Sequence, residues 1–284
     1  TDGSVKEIEA GKSVYDFAKE LSEGLARMAT CATVNGKVVD LRFCLNEDCE
    51  LTIHTFESDL DGKKAYWHTT SHIMAQAVKR LFPDVKFAIG PSIDNGFYYD
   101  FDVEKPFSPE DLEKIKAEMK KIVKSGLELE RVELSPEEAE KKLEEMNEPY
   151  KVELVKEHSD KGEHITFYKQ GEFIDLCAGP HLMSVAPIKA IELTACTGAY
   201  WRGDANNAQL CRVYGVAFPK ASMLEEHLKK LEEAKLRDHN KLGRELEYFT
   251  TVDYVGQGLP ILLPKGARVI QLLQRWVEDV EQKH

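Results

Sequence analysis

Two groups of side chains in this sequence have the chemistry to act on a small polar substrate. His68 and His72 stand four positions apart in a stretch that predicts a helix, so their imidazoles lie on one face, one turn apart. Cys177 and His181 stand in a second stretch, where a Gly-Pro pair between them predicts a turn after a strand. Such a set can bind a metal ion or hold a water molecule, and we expect the two groups to meet in one pocket.

Each group alone has an ordinary structural explanation. A histidine pair at this spacing is typical of a partly exposed helix, and a cysteine is often just a small buried apolar residue. Asp175, two residues before Cys177, adds a carboxylate to the second group. The combination of three imidazoles, a thiol and a carboxylate therefore favours a shared site over unrelated structural residues.

Periodicity predicts the elements that position the first group. Apolar residues at helical spacing follow His72 and stop before Pro83, which predicts a helix packed on the core. An Asn-Gly pair then predicts a hairpin, and its second strand is the aromatic run 97–101. Because neighbouring strand residues face opposite sides, either Tyr98 or Tyr99 is expected to line a cleft.

The region before the second group contains a candidate lysine. A Ser-Pro pair predicts a helix from residue 108 to about 125, and a second one predicts a helix from residue 135 that Pro149 ends. The run 151–155 then predicts a strand that begins with Lys151. A lysine at the start of a strand is usually a surface residue, so a functional role for it needs further support.

Length, composition and charge limit the class of protein. With 284 residues, of which 42% are hydrophobic, the chain can form two or three domains with real cores. No run approaches ~20 apolar residues, so no transmembrane helix is expected, and the polar first residues argue against a signal peptide. Six cysteines without regular spacing indicate a reducing compartment, and we expect a cytoplasmic protein. The net charge of −12 argues against binding nucleic acid by bulk attraction but is compatible with a local basic strip.

The pattern divides the chain into four segments and predicts an α+β fold. Residues 1–57 predict an edge strand at 4–9, a helix, an Asn-Gly hairpin and a last strand, which together suggest a small ubiquitin-like β-grasp domain. Residues 58–219 predict an α/β domain with a mostly antiparallel sheet. The pattern over residues 220–242 predicts one connecting helix that is locally basic. Residues 243–284 are interpreted as the start of a further domain.

A glycine-flanked segment near the end of the second domain has two interpretations. It runs from residue 197 to 204 and contains Tyr200, Trp201 and Arg202. The structural interpretation is a loop with a packed tryptophan. The functional interpretation is a surface that stacks a base and pairs with a phosphate.

Taken together, these motifs resemble the N-terminal part of the bacterial threonyl-tRNA synthetase family. Residues 1–57 are similar to its TGS domain, through the sequences DGS and VNGK. Residues 237–243 resemble the entry to the class II catalytic domain, and the residues from 258 onward resemble the approach to class II motif 1. Residues 58–219 resemble the editing domain shared by threonyl- and alanyl-tRNA synthetases, through four motifs in the same order: HTTSH from His68, AIGP to NGFYYD over 88–100, DLCAGPH from Asp175 and YWRGD from Tyr200.

The resemblance covers the whole chain but not the whole family protein. Class II motifs 2 and 3 and the anticodon-binding domain are absent from this sequence, so we expect no aminoacylation by it. ATP and the family's catalytic zinc belong to that catalytic core. The resemblance implies post-transfer editing instead, which is hydrolysis of the ester in mischarged Ser-tRNA(Thr). The expected partner is the 3′ end of tRNA(Thr) carrying serine, with no membrane. We expect a monomer for this chain and a homodimer for the full enzyme.

The resemblance also implies roles for seven residues. His68 with Lys151 would orient and activate the hydrolytic water, and His72 is the third catalytic candidate. Asp175 would bind the α-ammonium group of the substrate. His72, Cys177 and His181 would form the wall that measures the side chain and places the adenosine. Tyr99 also matches a position that the family uses, so the residues assigned to substrate binding are Asp175, Cys177, His181 and Tyr99.

The same residues leave alternatives open. His68, His72, Cys177 and His181 are a reasonable tetrahedral zinc set. In the alanyl-type relatives the corresponding residues resemble a zinc site, whereas the threonyl-type pocket is expected to hold water. We therefore expect no metal and no other cofactor. A zinc-dependent deacylase of the alanyl-editing type is one alternative, and a nucleophilic Cys177 is another, although a thioester brings no clear advantage here.

A non-catalytic module is the remaining alternative. It would bind tRNA through the TGS-like domain and the basic helix without cleaving the ester. The combination of His68, Lys151 and Asp175 favours hydrolysis, because binding alone does not need a buried proton acceptor.

Overall fold

The computed structural model describes residues 3–256 and 258–282. In that part of the chain the helices are α1 Val14–Leu21, α2 Glu23–Met28, α3 Leu60–Leu81, α4 Pro109–Ser125, α5 Pro136–Glu145, α6 Pro149–Asp160, α7 Ala221–Leu236, α8 His239–Glu245 and α9 Pro264–Glu281. The strands are β1 Lys12–Ser13, β2 Ala29–Val34, β3 Lys37–Val39, β4 Cys44–Leu45, β5 Leu51–Thr55, β6 Lys86–Phe87, β7 Ser92–Ile93, β8 Gly96–Asp102, β9 Leu129–Leu134, β10 Ile165–Gln170, β11 Phe173–Leu176, β12 Ala190–Tyr200, β13 Gln209–Phe218, β14 Phe249–Thr250 and β15 Ile261–Leu262. The predicted α+β class is confirmed.

The first segment is a β-grasp in which α1 packs on the antiparallel sheet β3-β2-β5. Ser13 caps α1, and Asp16 completes a capping box with it. Asn35 and Gly36 both have positive φ, as the turn of the predicted hairpin between β2 and β3 requires. The edge strand predicted at residues 4–9 was wrong. The strand of this region is β1, which pairs with β4, because the earlier residues find no sheet edge and Val5 is 93% exposed.

Helix α3 is the central element of the second segment. Asp59 caps it by accepting a hydrogen bond from the Gly62 N–H at 2.9 Å. Fourteen of its residues are buried, because β8 and β13 cover one side and α4 another. The helix that carries His68 and His72 is therefore rigid and runs through the core.

Two antiparallel sheets flank this helix. The larger one has the strand order β12-β13-β8-β6, with β7 also paired to β8, and Arg212 binds Asp100 across its β13-β8 ladder through two hydrogen bonds of 2.7 and 2.8 Å. The smaller one has the order β11-β10-β9, with Tyr168 of β10 directly opposite Asp175 of β11. Strand β11 ends at Leu176, so the turn that follows it begins at Cys177.

The strand predicted over residues 151–155 was wrong, because these residues belong to helix α6. Pro149 begins α6 at its first turn, where a proline needs no N–H partner, and α5 has already ended at Glu145. The β-branched Val152 and Val155 suggested a strand, but Lys151 and Val155 share one buried helical face. Lys151 is thus a buried helical residue and not a surface strand residue.

The contacts divide the chain into two compact units, one up to Leu224 and one from Glu225. In the second unit, α8 leads to the hairpin β14-β15 and then to α9. The single helix predicted over residues 220–242 is two helices, because α7 ends at Leu236 and Asp238 caps α8 by accepting from the Lys241 N–H. The domain boundaries proposed from the sequence stay predictions. Among the described residues, no helix is long and apolar enough to cross a membrane.

Candidate active site

The two groups of chemistry-bearing residues meet between helix α3 and the turn after β11. His68 and His72 stand one turn apart on α3, with ring centroids 5.4 Å apart. Cys177 and His181 come from the turn, where the Gly179–Pro180 peptide is cis. One ligand atom from each of these four side chains lies within 4.8 Å of all the others.

Cys177 is at the centre of this group. Its Sγ lies 3.2 Å from Nε2 of His68 and 3.1 Å from Nε2 of His181, and it accepts a hydrogen bond from the Gly179 N–H at 3.3 Å. Burial raises the pKa of the Cys177 thiol to about 12. The sulfur is therefore a protonated thiol near pH 7, which is a poor nucleophile.

Thr69 fixes the tautomer of His181. Its hydroxyl donates to the Ala65 carbonyl at 2.9 Å, so it can only accept from its other neighbours, the Leu182 N–H at 2.9 Å and Nδ1 of His181 at 3.2 Å. By this reasoning Nδ1 of His181 carries the proton, and Nε2 presents a lone pair to Cys177. Thr69 lies within the HTTSH motif but was not a candidate, because nothing in the sequence shows which threonine faces the turn.

His72 lies beside Asp175 and has one buried nitrogen that is unpaired among the described residues. Its Nε2 lies 3.8 Å from Oδ2 of Asp175, while its buried Nδ1 has no hydrogen-bond partner among the described residues. Burial lowers the pKa of His72 to about 3 and that of His68 to about 4. Burial, reinforced by its histidine neighbours, also lowers the pKa of His181 well below its usual value. All three rings are therefore neutral near pH 7.

Lys151, Asp175 and Tyr99 form a buried network beside the histidines. The Lys151 ammonium lies 2.7 Å from Oδ1 of Asp175 and donates to the Tyr99 hydroxyl at 2.9 Å, and that hydroxyl donates to Oδ2 of Asp175 at 2.6 Å. Burial acts to raise the pKa of Asp175, but the Lys151 charge and these hydrogen bonds outweigh it, so the carboxyl pKa lies below its usual value. Asp175 is therefore an ionised carboxylate inside the protein.

A cleft of about 330 Å³ opens onto this network. His68 is half-buried in its wall, whereas Tyr99 is fully buried behind Asp175. Gly90 lines one side, where a Cβ would collide with the Tyr99 ring. The side chains nearest the network that line the cleft are His68, His72, Lys151, Asp175 and Cys177, and those of the rim include His158, Glu163 and His164.

The donor set fits a zinc ion. Three imidazoles and one thiol give the ligand types that zinc prefers, and the unpartnered Nδ1 of His72 is a free donor atom. In a tetrahedral site with bonds of about 2.3 Å to sulfur and about 2.0 Å to nitrogen, the sulfur and nitrogen atoms lie about 3.5 Å apart. The Cys177 sulfur lies 3.2 and 3.1 Å from two imidazole nitrogens, so these atoms would have to separate by a few tenths of an ångström around an ion. The thiol would have to lose its proton on binding, as any zinc-bound cysteine does.

The glycine-flanked segment, which forms the end of β12 and the turn that follows, packs as a structural element. Trp201 is buried against Tyr150 and donates from Nε1 to Glu153 at 3.1 Å, so its ring is not available to stack a base. Arg202 pairs with Glu153 and Glu157 on the same helix, α6. The segment therefore holds the helix that carries Lys151, a connection that the sequence did not reveal.

Two stretches of the first unit match known domain families. Residues 1–55 match the TGS domain, and residues 165–214 match the threonyl and alanyl tRNA synthetase second additional domain. The first match covers the β-grasp. The second covers β10 to most of β13, including Asp175, Cys177 and His181.

Curated relatives match nearly the whole chain. It is 61% identical over 282 residues to a threonine–tRNA ligase of Clostridium perfringens, which is 99% of this chain and 43% of that protein. It is 60% identical to one of Clostridium botulinum, with the same coverage, and 57% identical over 273 residues to one of Caldanaerobacter subterraneus, which is 96% of this chain and 42% of that protein. The chain thus spans less than half the length of these ligases.

Proposed function

We propose, from the similarity to threonine–tRNA ligases and from the geometry of the cleft, that this chain carries the post-transfer editing activity of such an enzyme. The reaction is hydrolysis of the ester that links serine to the 3′-terminal adenosine of tRNA(Thr). The observation that supports it most is the meeting of a neutral half-buried histidine, a buried ammonium and a buried carboxylate at one cleft.

Such a reaction answers a specific problem of threonine selection. Serine carries the same hydroxyl and amine as threonine and lacks one methyl group, and a methyl group is worth only ~1–3 kcal/mol of discrimination. A synthetic site therefore charges some serine by mistake. The editing cleft must accept the smaller residue and exclude the larger one by a clash with its methyl group.

In this proposal His68 with Lys151 orients the attacking water. The neutral imidazole of His68 accepts a proton as the water oxygen attacks the ester carbon, and the same proton then passes to the leaving ribose oxygen. The lowered pKa of His68, about 4, keeps the ring neutral at pH 7 and also makes it a weaker base than a solvated imidazole. The Lys151 ammonium lies deeper in the same wall and favours the negative charge that develops on the ester oxygen.

Asp175 binds the α-ammonium group of the serine. Both of its oxygens are engaged, by Lys151 and Tyr99, but each oxygen keeps a further lone pair for a charge-assisted hydrogen bond. Tyr99 acts through Asp175, because it is fully buried and donates its proton there. His72 and Cys177 form the wall that measures the side chain. His181 is fully buried behind Cys177 and does not line the cleft, so it supports this wall without touching the substrate. The protonated thiol of Cys177 favours this role over a nucleophilic one.

In this proposal the partner is the charged 3′ end of tRNA(Thr). Aminoacylation, ATP and the catalytic zinc belong to the part of the ligases that this sequence does not cover. We propose a cytoplasmic protein, monomeric as this chain and homodimeric as a full ligase. No cofactor takes part in the hydrolysis.

A zinc-dependent deacylase of the alanyl-editing type is the second candidate, because the four ligand atoms lie within 4.8 Å of one another. His68, His72, Cys177 and His181 would hold the ion, and the ion would supply a water of lowered pKa. Zinc would then bind stoichiometrically, and His68 would be a ligand instead of a base. A tRNA-binding module without hydrolysis is the third candidate.

Deacylation of Ser-tRNA(Thr) under single-turnover conditions, with and without chelator, separates these candidates. We expect hydrolysis far above the spontaneous rate, unchanged by chelator, and abolished in His68→Ala without loss of tRNA binding. Loss of activity on chelation, restored by zinc, would support the second candidate. Binding without hydrolysis would support the third. A His68→Ala variant that keeps its rate but binds weakly would contradict the role of His68.

A further inference from the structure

Tyr168 connects the editing cleft to the TGS domain. It stands on β10 opposite Asp175, and its ring centroid lies 4.4 Å from that of His181. Its hydroxyl donates to Oδ2 of Asp40, a residue of the TGS domain, at 2.6 Å. Tyr168 is 1% exposed and Asp40 is 7% exposed, so this hydrogen bond lies inside the protein.

Arg42 makes a second connection to the same turn. Its Nη2 donates to the carbonyl oxygens of Leu182 and Met183, both at 3.0 Å, and to that of Leu129 at 2.5 Å. Leu182 and Met183 directly follow His181. The guanidinium therefore fixes the backbone at the point where the turn leaves the cleft.

Asp40 and Arg42 also hold each other. The Arg42 N–H donates to Oδ1 of Asp40 at 2.9 Å, and Nη1 of Arg42 lies 3.6 Å from Oδ2 of the same carboxylate. Nη1 is buried and makes no hydrogen bond among the described residues, so Asp40 supplies the charge that balances it. A buried ion pair of this kind contributes little net stability, but it fixes the direction of the groups it contacts.

The turn packs against Tyr168 at two residues, Gly179 and His181. Gly179 has a φ of +76°, and a Cβ there would collide with the Tyr168 hydroxyl, so the turn lies directly against the ring that Asp40 holds. His181 is fully buried between Tyr168, Thr69 and Cys177. A shift of Tyr168 or of Leu182 would therefore move the His181 ring and, with it, the sulfur of Cys177.

We propose that Asp40 and Arg42 of the TGS domain are positioning residues of the editing cleft, which hold Tyr168 and the turn from Cys177 to Met183 in the arrangement that editing uses. This inference rests on the proposed function. The TGS domain then positions residues of the hydrolytic site and is not only a separate tRNA-binding domain. Asp40 acts through Tyr168, and Arg42 acts through the backbone of the turn.

The test compares Asp40→Asn, Tyr168→Phe, their double variant and Arg42→Ala in single-turnover hydrolysis of Ser-tRNA(Thr). We expect each single variant to lower the maximal rate about tenfold (about 1.4 kcal/mol), with the half-saturating concentration changed less than twofold. The double variant should be no slower than the slower single variant, because Asp40 and Tyr168 act through one hydrogen bond. Arg27→Ala, an exposed arginine of the same domain, is the matched control and should keep the full rate.

A second readout needs no tRNA and distinguishes this inference from the proposed function. The alkylation rate of Cys177 by iodoacetamide, followed by peptide mass spectrometry, reports how firmly the turn is held. We expect Arg42→Ala and Tyr168→Phe to raise it at least fivefold and Arg27→Ala to leave it unchanged.

The outcomes are separable. Unchanged alkylation together with unchanged hydrolysis in variants that melt as folded proteins would overturn the inference. Additive effects of Asp40→Asn and Tyr168→Phe would overturn the path through Tyr168. A wild-type chain that does not hydrolyse the ester would refute the proposed function, while the alkylation rates would still decide whether the TGS domain holds the turn.

Discussion

At the scale of single residues, the cleft depends on side chains that stay neutral because they are buried. Burial lowers the pKa of His72 to about 3, from an ordinary value near 6.5. In the unfolded chain the same ring is solvated and takes up a proton as the pH falls through 6.5. The native state does not take up that proton until far lower pH, so this histidine stabilises the fold fully above pH 6.5 and progressively less below it.

This linkage predicts that stability falls as the pH is lowered, and that the substitution His72→Gln makes this fall smaller. Between pH 7.5 and 5.0 the wild-type chain should lose more unfolding free energy than His72→Gln, by about 2 kcal/mol. The measurement is urea unfolding of both proteins at the two pH values. Equal losses in both proteins would show that His72 titrates normally and would contradict its burial as a neutral ring.

The contacts of Thr69 lead to a second prediction at this scale, with the neighbouring Thr70 as the control. Thr69→Val keeps the shape but leaves the Leu182 N–H and Nδ1 of His181 without an acceptor, so we expect a loss of about 1–3 kcal/mol of stability and a clear fall in the editing rate. Thr70 is equally buried, and among the described residues its hydroxyl contacts only the Tyr66 carbonyl, to which it donates. Thr70→Val should therefore cost about 1 kcal/mol or less and leave the rate intact. Thermal melts and single-turnover rates for the pair decide this, and equal effects would refute the role of Thr69.

At the scale of elements, the turn after β11 combines an unusual backbone with a close contact. Gly179→Ala would put a methyl group into the Tyr168 hydroxyl and would strain a φ of +76°. Gly162 has a similar φ of +70° but no atom within 4 Å of its Cβ position, so Gly162→Ala measures the backbone strain alone. We expect about 1 kcal/mol for Gly162→Ala and about 1–3 kcal/mol more for Gly179→Ala.

Denaturant unfolding of the two alanine variants provides the measurement. Gly179→Ala should also lose most of its hydrolytic rate, because Cys177 and His181 flank the displaced residue. If both variants lost the same stability, Tyr168 would not be held as firmly as we infer.

At the scale of the whole molecule, the net charge of −12 predicts weak binding to tRNA. Contacts to phosphates depend on salt, whereas the chemical step inside the cleft does not. Raising salt from 50 to 200 mM should therefore raise the half-saturating concentration at least tenfold and change the maximal rate less than twofold. A maximal rate that falls in parallel would place charged surface contacts in the chemical step, against the proposal.

Much of this organisation could be predicted from the sequence, for identifiable reasons. Local signals determined the β-grasp hairpin at Asn35 and the helix of His68 and His72, because both depend on residues close in the chain. The helix of Lys151 was missed because its valines resemble a strand. The parts played by Thr69 and Asp40 depend on contacts between segments more than a hundred residues apart, and a single sequence contains no signal for such contacts.

A comparison of two substrates tests selective hydrolysis of Ser-tRNA(Thr) most sharply. Serine-charged and threonine-charged tRNA(Thr), mixed with excess protein, are followed to completion in the presence of chelator. We expect rapid loss of serine and loss of threonine only at the spontaneous rate, since the proposed cleft accepts the smaller side chain and excludes the extra methyl group. Equal loss of both amino acids, or loss of neither, would contradict it.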